Sequence, residues 1–191
     1  MKPALALLSI LCALSCGNAK TNEDKGKAPE VSMKEPSTDW ASAPLQKISD
    51  IVDGVKFSVK LPDHLKREEK ANDGTFPGYV TWNGPNPFLD PTFTAQIPDF
   101  PPKDIAAAES SALRLGDPKE VLGKGELAGG GFFVSVAETT KKYLKVEAWR
   151  PSASTGKVVR FSIGTRSSEP IADLDKLRLW MESIVLSFEV P

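Results

Sequence analysis

The chain has 191 residues, enough for one domain with appendages. Hydrophobic residues make up 40% and charged residues 26%, ordinary proportions for a globular protein. The net charge is −1, without the basic excess or stripe that nucleic-acid binding requires, so no nucleic-acid partner is expected. Both cysteines, Cys12 and Cys16, stand at the N-terminal end, so the folded part has no disulfide, thiolate nucleophile or cysteine metal site.

Lys2 is followed by an apolar run from Ala4 to Leu14. A bilayer-spanning helix needs about 20 apolar residues. The run is too short for that and fits the core of a secretion signal. The residues after it, Ala13-Leu14-Ser15-Cys16, resemble the lipobox of bacterial lipoproteins, with Ala13 an accepted variant at the first position. Cys12 fits less well, because bulky Leu11 precedes it. The resemblance implies that residues 1–15 are a lipoprotein signal peptide, cleaved before a Cys16 that carries a thioether-linked diacylglyceryl group. A plain secretory signal cleaved near Ala19 is the competing reading. Gly17, where an Asp would specify the inner membrane under a common sorting rule, leans towards the outer membrane. Acyl chains contribute about 0.8 kcal/mol per buried CH₂, and two or three together anchor a protein durably.

Residues 16–44 then read as a lipidated cysteine and a flexible linker. Mixed charges alternate with Pro, Ser, Ala and Gly, and there is too little apolar surface to offset the entropy of ordering. Such a linker spans about 30 Å on average. Trp40 is its one large apolar residue of note, expected to cap the edge of the domain rather than touch the membrane.

A single domain is expected over 45–191. Val55 to Leu61 alternates apolar and polar residues strictly, the period of a half-buried strand, and Pro62-Asp63 ends it. Tyr79 to Trp82 and Phe93 to Ile97 predict two more short strands. Asp104 is placed to N-cap a helix over Ile105 to Leu115, closed by Gly116-Asp117-Pro118. Extended segments at 120–127, 132–138, 143–149 and 157–165, separated by turn-forming clusters, predict an antiparallel meander. Ser168-Glu169-Pro170 is expected to open a second helix, with Pro in its first turn. Ile171, Leu174, Leu177, Met181, Ile184 and Val185 form its apolar stripe, which must bury against the sheet.

These patterns predict an α+β fold: an antiparallel sheet of about six to seven strands packed against two helices. The order of elements, from Gly54-Val55-Lys56-Phe57 to an amphipathic helix running into Ile184-Val185-Leu186-Ser187-Phe188, resembles the PsbP-like and DcrB-like α/β/α sandwich domains over roughly residues 50–190. Several of those are secreted bacterial lipoproteins. The resemblance implies a binding, assembly or accessory role on a membrane or larger complex, without a shared reaction, and it transfers no site residue.

No constellation for catalysis emerges. His64, the sole histidine, follows a turn in a charged stretch and reads as an ordinary surface residue. Gly123-Lys124-Gly125-Glu126-Leu127-Ala128 formally fits G-x-G-x-x-A, but the run after it is β-patterned where a dinucleotide site needs a helix. Gly129-Gly130-Gly131 reads as a turn with positive φ. Asp90, Asp99 and Asp104 lie close in sequence and are expected to serve turns and caps rather than acid–base chemistry.

The segment over 83–104 is the functional candidate. Pro85, Pro87, Pro91, Pro98, Pro101 and Pro102 stiffen it, and Phe88, Leu89 and Phe100 are the expected anchors of a partner-binding loop. The competing expectation is that Phe88 and Phe100 cover the core or a sheet edge.

The expected whole is a non-catalytic, membrane-tethered envelope lipoprotein. It binds or assists a protein partner or an envelope component, and it carries no cofactor beyond the covalent lipid on Cys16. The alternative is a small-ligand carrier, less readily an enzyme, with a pocket between sheet and helix.

Overall fold

The computed structural model describes Trp40 and residues 43–74, 77–86, 90–114 and 116–191. Among these described residues, nine strands and two helices follow in chain order. They are β1 (Leu45–Val52), β2 (Val55–Pro62), β3 (Lys66–Lys70), β4 (Tyr79–Asn83), β5 (Thr92–Gln96), α1 (Ile105–Leu113), β6 (Lys119–Glu126), β7 (Phe132–Glu138), β8 (Tyr143–Pro151), β9 (Val158–Arg166) and α2 (Leu174–Leu186). Seven strands form one sheet in the order β3-β4-β5-β9-β8-β7-β6, with every neighbouring pair antiparallel. β1 and β2 form a separate hairpin. The α+β architecture, the antiparallel sheet and its two helices are those that the sequence predicts.

Two strands depart from the expectation. β1 has no clean alternation, because only part of one face meets the core and Val52 alone is buried. Its partner supplies the alternation, and Asp53-Gly54, with φ of 45° and 79°, closes the two-residue turn between them. β3 reads as a charged stretch because all five of its residues are exposed. Backbone pairing with β4 holds it, and its charges suit a sheet edge that must not recruit another strand.

Alternation along the strands gives the sheet two unlike faces. On one face Phe93, Ala95, Leu144, Val146, Ala148, Val159, Phe161 and Ile163 are fully buried, and they share a core with Met181, Ile184 and Val185 of α2 and with Val55, Phe57, Val59 and Leu61 of β2. On the other face α1 covers only the β6–β7 end, where Ala108 packs with Val134, Val136 and Trp149. Each helix therefore lies on its own face, and α1 is the crossover from central β5 to edge β6.

Phe188, just past α2, closes the larger core. Its ring stacks on Phe161 at 5.2 Å and meets the edge of Phe57 at 6.0 Å. The backbone amides and carbonyls of Ser58 and Glu189 exchange two hydrogen bonds, at 2.9 and 2.8 Å, and the Lys60 amide donates to Ser187 Oγ at 2.9 Å. The chain end thus ties the hairpin to the sheet. Asp50 ties it again at the other side, accepting from Arg67 Nε at 2.6 Å and Nη2 at 2.9 Å.

The second helix begins later than Pro170. The Ile171 amide donates to the Lys141 carbonyl, and the Ser167 amide to the Lys142 carbonyl. Residues 167–171 are thereby held along the β7–β8 turn, and the helix starts only at Leu174. The first helix ends at Leu113; Leu115 lies outside the described residues, and Gly116 has a φ of 83°. Trp40 is 7% exposed, packed between His64 at 4.9 Å and Trp180 at 6.3 Å, so the packed body takes it in ahead of β1.

Phe188→Ala is expected to cost about 3–5 kcal/mol in urea unfolding, as a large buried aromatic side chain is lost from between two others. Asp50→Asn is expected to cost about 1 kcal/mol at neutral pH, discounted for the half-exposed Arg67. Burial raises the Asp50 pKa, but hydrogen bonds from Arg67 and the Ile51 amide outweigh it and hold the carboxyl below its ordinary value. The folded pKa is the lower one, so the stabilisation is present above the unfolded value and is lost on acidification. The gap between wild type and Asp50→Asn should close as the pH falls through and below the ordinary carboxylate range.

Candidate functional site

The segment between β5 and α1 is built for exposure. After Gln96 the chain runs Ile97-Pro98-Asp99-Phe100-Pro101-Pro102-Lys103 over the surface. Three prolines remove backbone donors and fix φ, so the segment neither joins the sheet nor starts the helix early. Asp104 then starts it, its Oδ1 accepting from the Ala107 amide at 2.8 Å. Phe100 is 95% exposed, the extreme among the large apolar side chains described. A phenyl ring so far from any core does not cover the sheet edge, and the prolines limit the freedom it loses on being buried by a partner.

Phe88 and Leu89, the other two expected anchors, lie outside the described residues, as does Pro87. The base of their loop is fixed on both sides. Asp90 Oδ2 accepts from the Asn86 amide at 2.7 Å, and the Asp90 amide donates to the Asn86 carbonyl at 2.8 Å. A Cβ on Gly84 would stand 2.5 Å from Asp90 Oδ2, so only glycine lets the chain pass this turn. Asp90 and Asp104 serve a turn and a cap, as their sequence context predicts, and Asp99 is exposed. Cys16 and the expected linker up to residue 39 also lie outside the described residues.

Beside the Phe100 segment a cleft of about 540 Å³ separates the first turn of α1 from the β6–β7 turn. Ile105, Leu127 and Phe132 give it apolar walls, and Lys103, Asp104 and Glu126 give it a charged rim. Gly129, Gly130 and Gly131 have φ of 82°, 101° and 91°. Gly131 has a second reason to be glycine, since a Cβ there would overlap the Trp149 carbonyl oxygen. Arg150 fastens this turn, donating from Nη1 to the Ala128 carbonyl at 2.7 Å and the Gly130 carbonyl at 3.1 Å. The residue is buried, and burial lowers its pKa while nearby Glu189 opposes the shift. The G-x-G-x-x-A run lies in β6 and this turn, with strand β7 after it, so the dinucleotide pattern lacks its helix.

The remaining candidates lie apart from this surface. The His64 ring is half-exposed, 3.6 Å from Asp63 and packed beside Trp40. No group of three His, Cys, Asp or Glu side chains able to hold a metal occurs among the described residues. No helix among them is long and apolar enough to cross a membrane. A cleft of about 720 Å³ runs between the outer face of the hairpin and Glu189–Pro191, crossed by the Lys47–Glu189 ion pair at 2.8 Å.

Two features had weaker signals in the sequence. Leu179 and Leu186 lie one heptad apart on the outer side of α2, outside its apolar stripe, and both are exposed. Arg178 and Glu182, paired at 3.0 Å, reach Ser135 on β7 through a 2.7 Å hydrogen bond from its hydroxyl. Their i, i+4 spacing was visible as an intrahelical pair, but the strand residue it engages was not.

No protein-family model matches the chain, and no curated protein matches it by sequence. Solved structures do match. The Saccharomyces cerevisiae Ran-binding protein Mog1p is similar over 78% of this chain and 96% of its own, with a TM-score of 0.54 and 11% identity. A point mutant of protein Mog1 is similar over 77% of this chain and 96% of its own, with a TM-score of 0.54 and 12% identity. At such identity the likeness is one of fold.

Phe100→Ala is expected to leave stability within about 0.5 kcal/mol of wild type, since the ring has no core to leave. Gly131→Ala is expected to cost about 2 kcal/mol or more, from positive φ and the clash with Trp149. Urea unfolding of the two variants side by side separates an anchor displayed by the fold from a turn on which the fold depends.

Proposed function

We propose that this chain is a membrane-tethered, non-catalytic lipoprotein of the bacterial envelope, of the PsbP-like or DcrB-like kind, whose folded domain binds a protein partner through the proline-stiffened surface around Phe100. The observation that carries the binding reading is a phenylalanine at 95% exposure on a segment held by a strand at one end and a capped helix at the other. Exposing an aromatic ring is costly in water, and aromatic side chains are the usual hot spots of interfaces. The neighbouring cleft offers apolar walls and a charged rim for the rest of a contact. One protein of similar fold is by its name a Ran-binding protein, so this architecture serves protein recognition there.

The tether rests on the sequence: an apolar run too short to span a bilayer, followed by Ala13-Leu14-Ser15-Cys16 and a polar stretch. The outer membrane is the favoured location, Gly17 standing where an inner-membrane signal would place Asp. No cofactor beyond the lipid belongs to this reading.

Two measurements test its two halves separately. Mass spectrometry of the mature protein should show an N-terminal, acylated Cys16, and Cys16→Ser should move the protein from the membrane to the soluble fraction. An unmodified N-terminus downstream of Cys16 would overturn the tether. A photo-crosslinking residue at position 100 should capture a defined envelope protein that the same group at position 176, on the outer side of α2, does not. Identical products from both positions, or none from position 100, would overturn the binding surface.

A further inference from the structure

Among the described residues, the face of the sheet that carries α1 is covered at the β6–β7 end only. Beside the helix it leaves a recess of about 240 Å³, open to solvent, between Ser111 of α1 and the side chains of β8 and β9. That is room for about eight waters at their liquid volume. Lys119, Tyr143, Lys145, Glu147 and Arg160 line it. We propose that this recess is a binding site for a small oxyanion, a carboxylate or phosphate group on a compact molecule.

Charge carries the inference. Two cations, Lys145 and Arg160, face a single carboxylate in the recess, and Lys119 on its rim is engaged in interactions of its own. Glu147 is 8% exposed in its side chain, and one of its oxygens serves two cations, with Lys145 Nζ at 2.6 Å and Arg160 Nη1 at 3.6 Å. The second distance is too long for a hydrogen bond. Arg160 thus keeps donor capacity in reserve: among the described residues, neither its buried Nε nor the Glu147 Oε1 that faces both cations has a hydrogen-bond partner. A carboxylate or phosphate is the group that a planar guanidinium meets with two donors at once.

The neighbouring acids are committed elsewhere. Glu109, the acid of α1, pairs with Lys124 at 2.6 Å. Glu138 pairs with Arg166 at 3.0 Å, and that guanidinium lies over the Tyr143 ring at 5.2 Å. The Tyr143 phenol is pushed up to about 12, by burial first and by the negative charge of Glu147 second, so at neutral pH it keeps its proton and can donate it in a hydrogen bond. Gly164, directly across from Lys145 in the ladder, leaves the floor open. A Cβ there would lie 3.9 Å from both Lys145 Cγ and the Tyr143 hydroxyl.

The site is independent of the Phe100 surface and of the tether. It also differs in place from a pocket under the C-terminal helix, where Met181, Ile184 and Val185 fill the layer against the sheet.

Citrate and inorganic phosphate are the probes, titrated by calorimetry into the full chain at low ionic strength, with putrescine as the cationic control. At least one anion should bind and putrescine should not; the tighter of the two distinguishes carboxylate from phosphate recognition. Glu147→Gln should tighten anion binding roughly threefold to tenfold and Lys145→Gln should weaken it by a similar factor, because they change the local charge in opposite directions. In the wild type, the same titration should move the amide resonances of residues 143–147 and 160–164 and leave those of the hairpin in place, a readout that does not require either variant to fold. Failure of both anions to bind, binding of putrescine instead, or resonance shifts confined to other parts of the chain would overturn the proposal.

Discussion

The contact of Phe188 with Phe57 and Phe161 decides how the molecule is divided. It joins the chain end, the hairpin and the central strands into one apolar layer, and the two hydrogen bonds between Ser58 and Glu189 fix its register. Because that layer consumes one face of the sheet, the opposite face carries, among the described residues, α1 at one end and polar side chains elsewhere. Both outward features, the recess at Glu147 and the segment carrying Phe100, follow from that division. One lies on the uncovered face, and the other lies on the crossover that must travel from β5 to β6.

Much of this was legible because most strands have one face in a core. Val55-Lys56-Phe57-Ser58-Val59-Lys60-Leu61 states its pairing face residue by residue, and the stripe of α2 does the same at helical spacing. β3 was not legible, since a strand with no buried residue carries no periodicity and is held by its partner's backbone and by the Arg67–Asp50 pair. The start of α2 was misplaced for a related reason. Pro170 is a good first-turn residue, but hydrogen bonds to Lys141 and Lys142, distant in sequence, hold that segment elsewhere. Local chemistry proposes helix ends, and tertiary contacts choose among them.

The candidate surface was legible in part. The proline spacing and Phe100 pointed to a displayed segment, and the exposure of that ring agrees with it. The recess was not, because Lys145, Glu147 and Arg160 sit on two strands whose pairing, Glu147 against Ser162 and Trp149 against Arg160, has to be known before three charges become a cluster. Charges in alternating strand positions otherwise look like any solvated face.

If the aromatic contact at Phe188 closes the molecule as described, the hairpin has no stability of its own. Native-state hydrogen exchange measured across a series of sub-denaturing urea concentrations tests this directly. The account predicts that the amides of β2, α2 and β8–β9 lose protection together, with one free energy and one dependence on urea. Loss of protection in β1–β2 at a lower free energy, while the sheet and α2 stay protected, would contradict it.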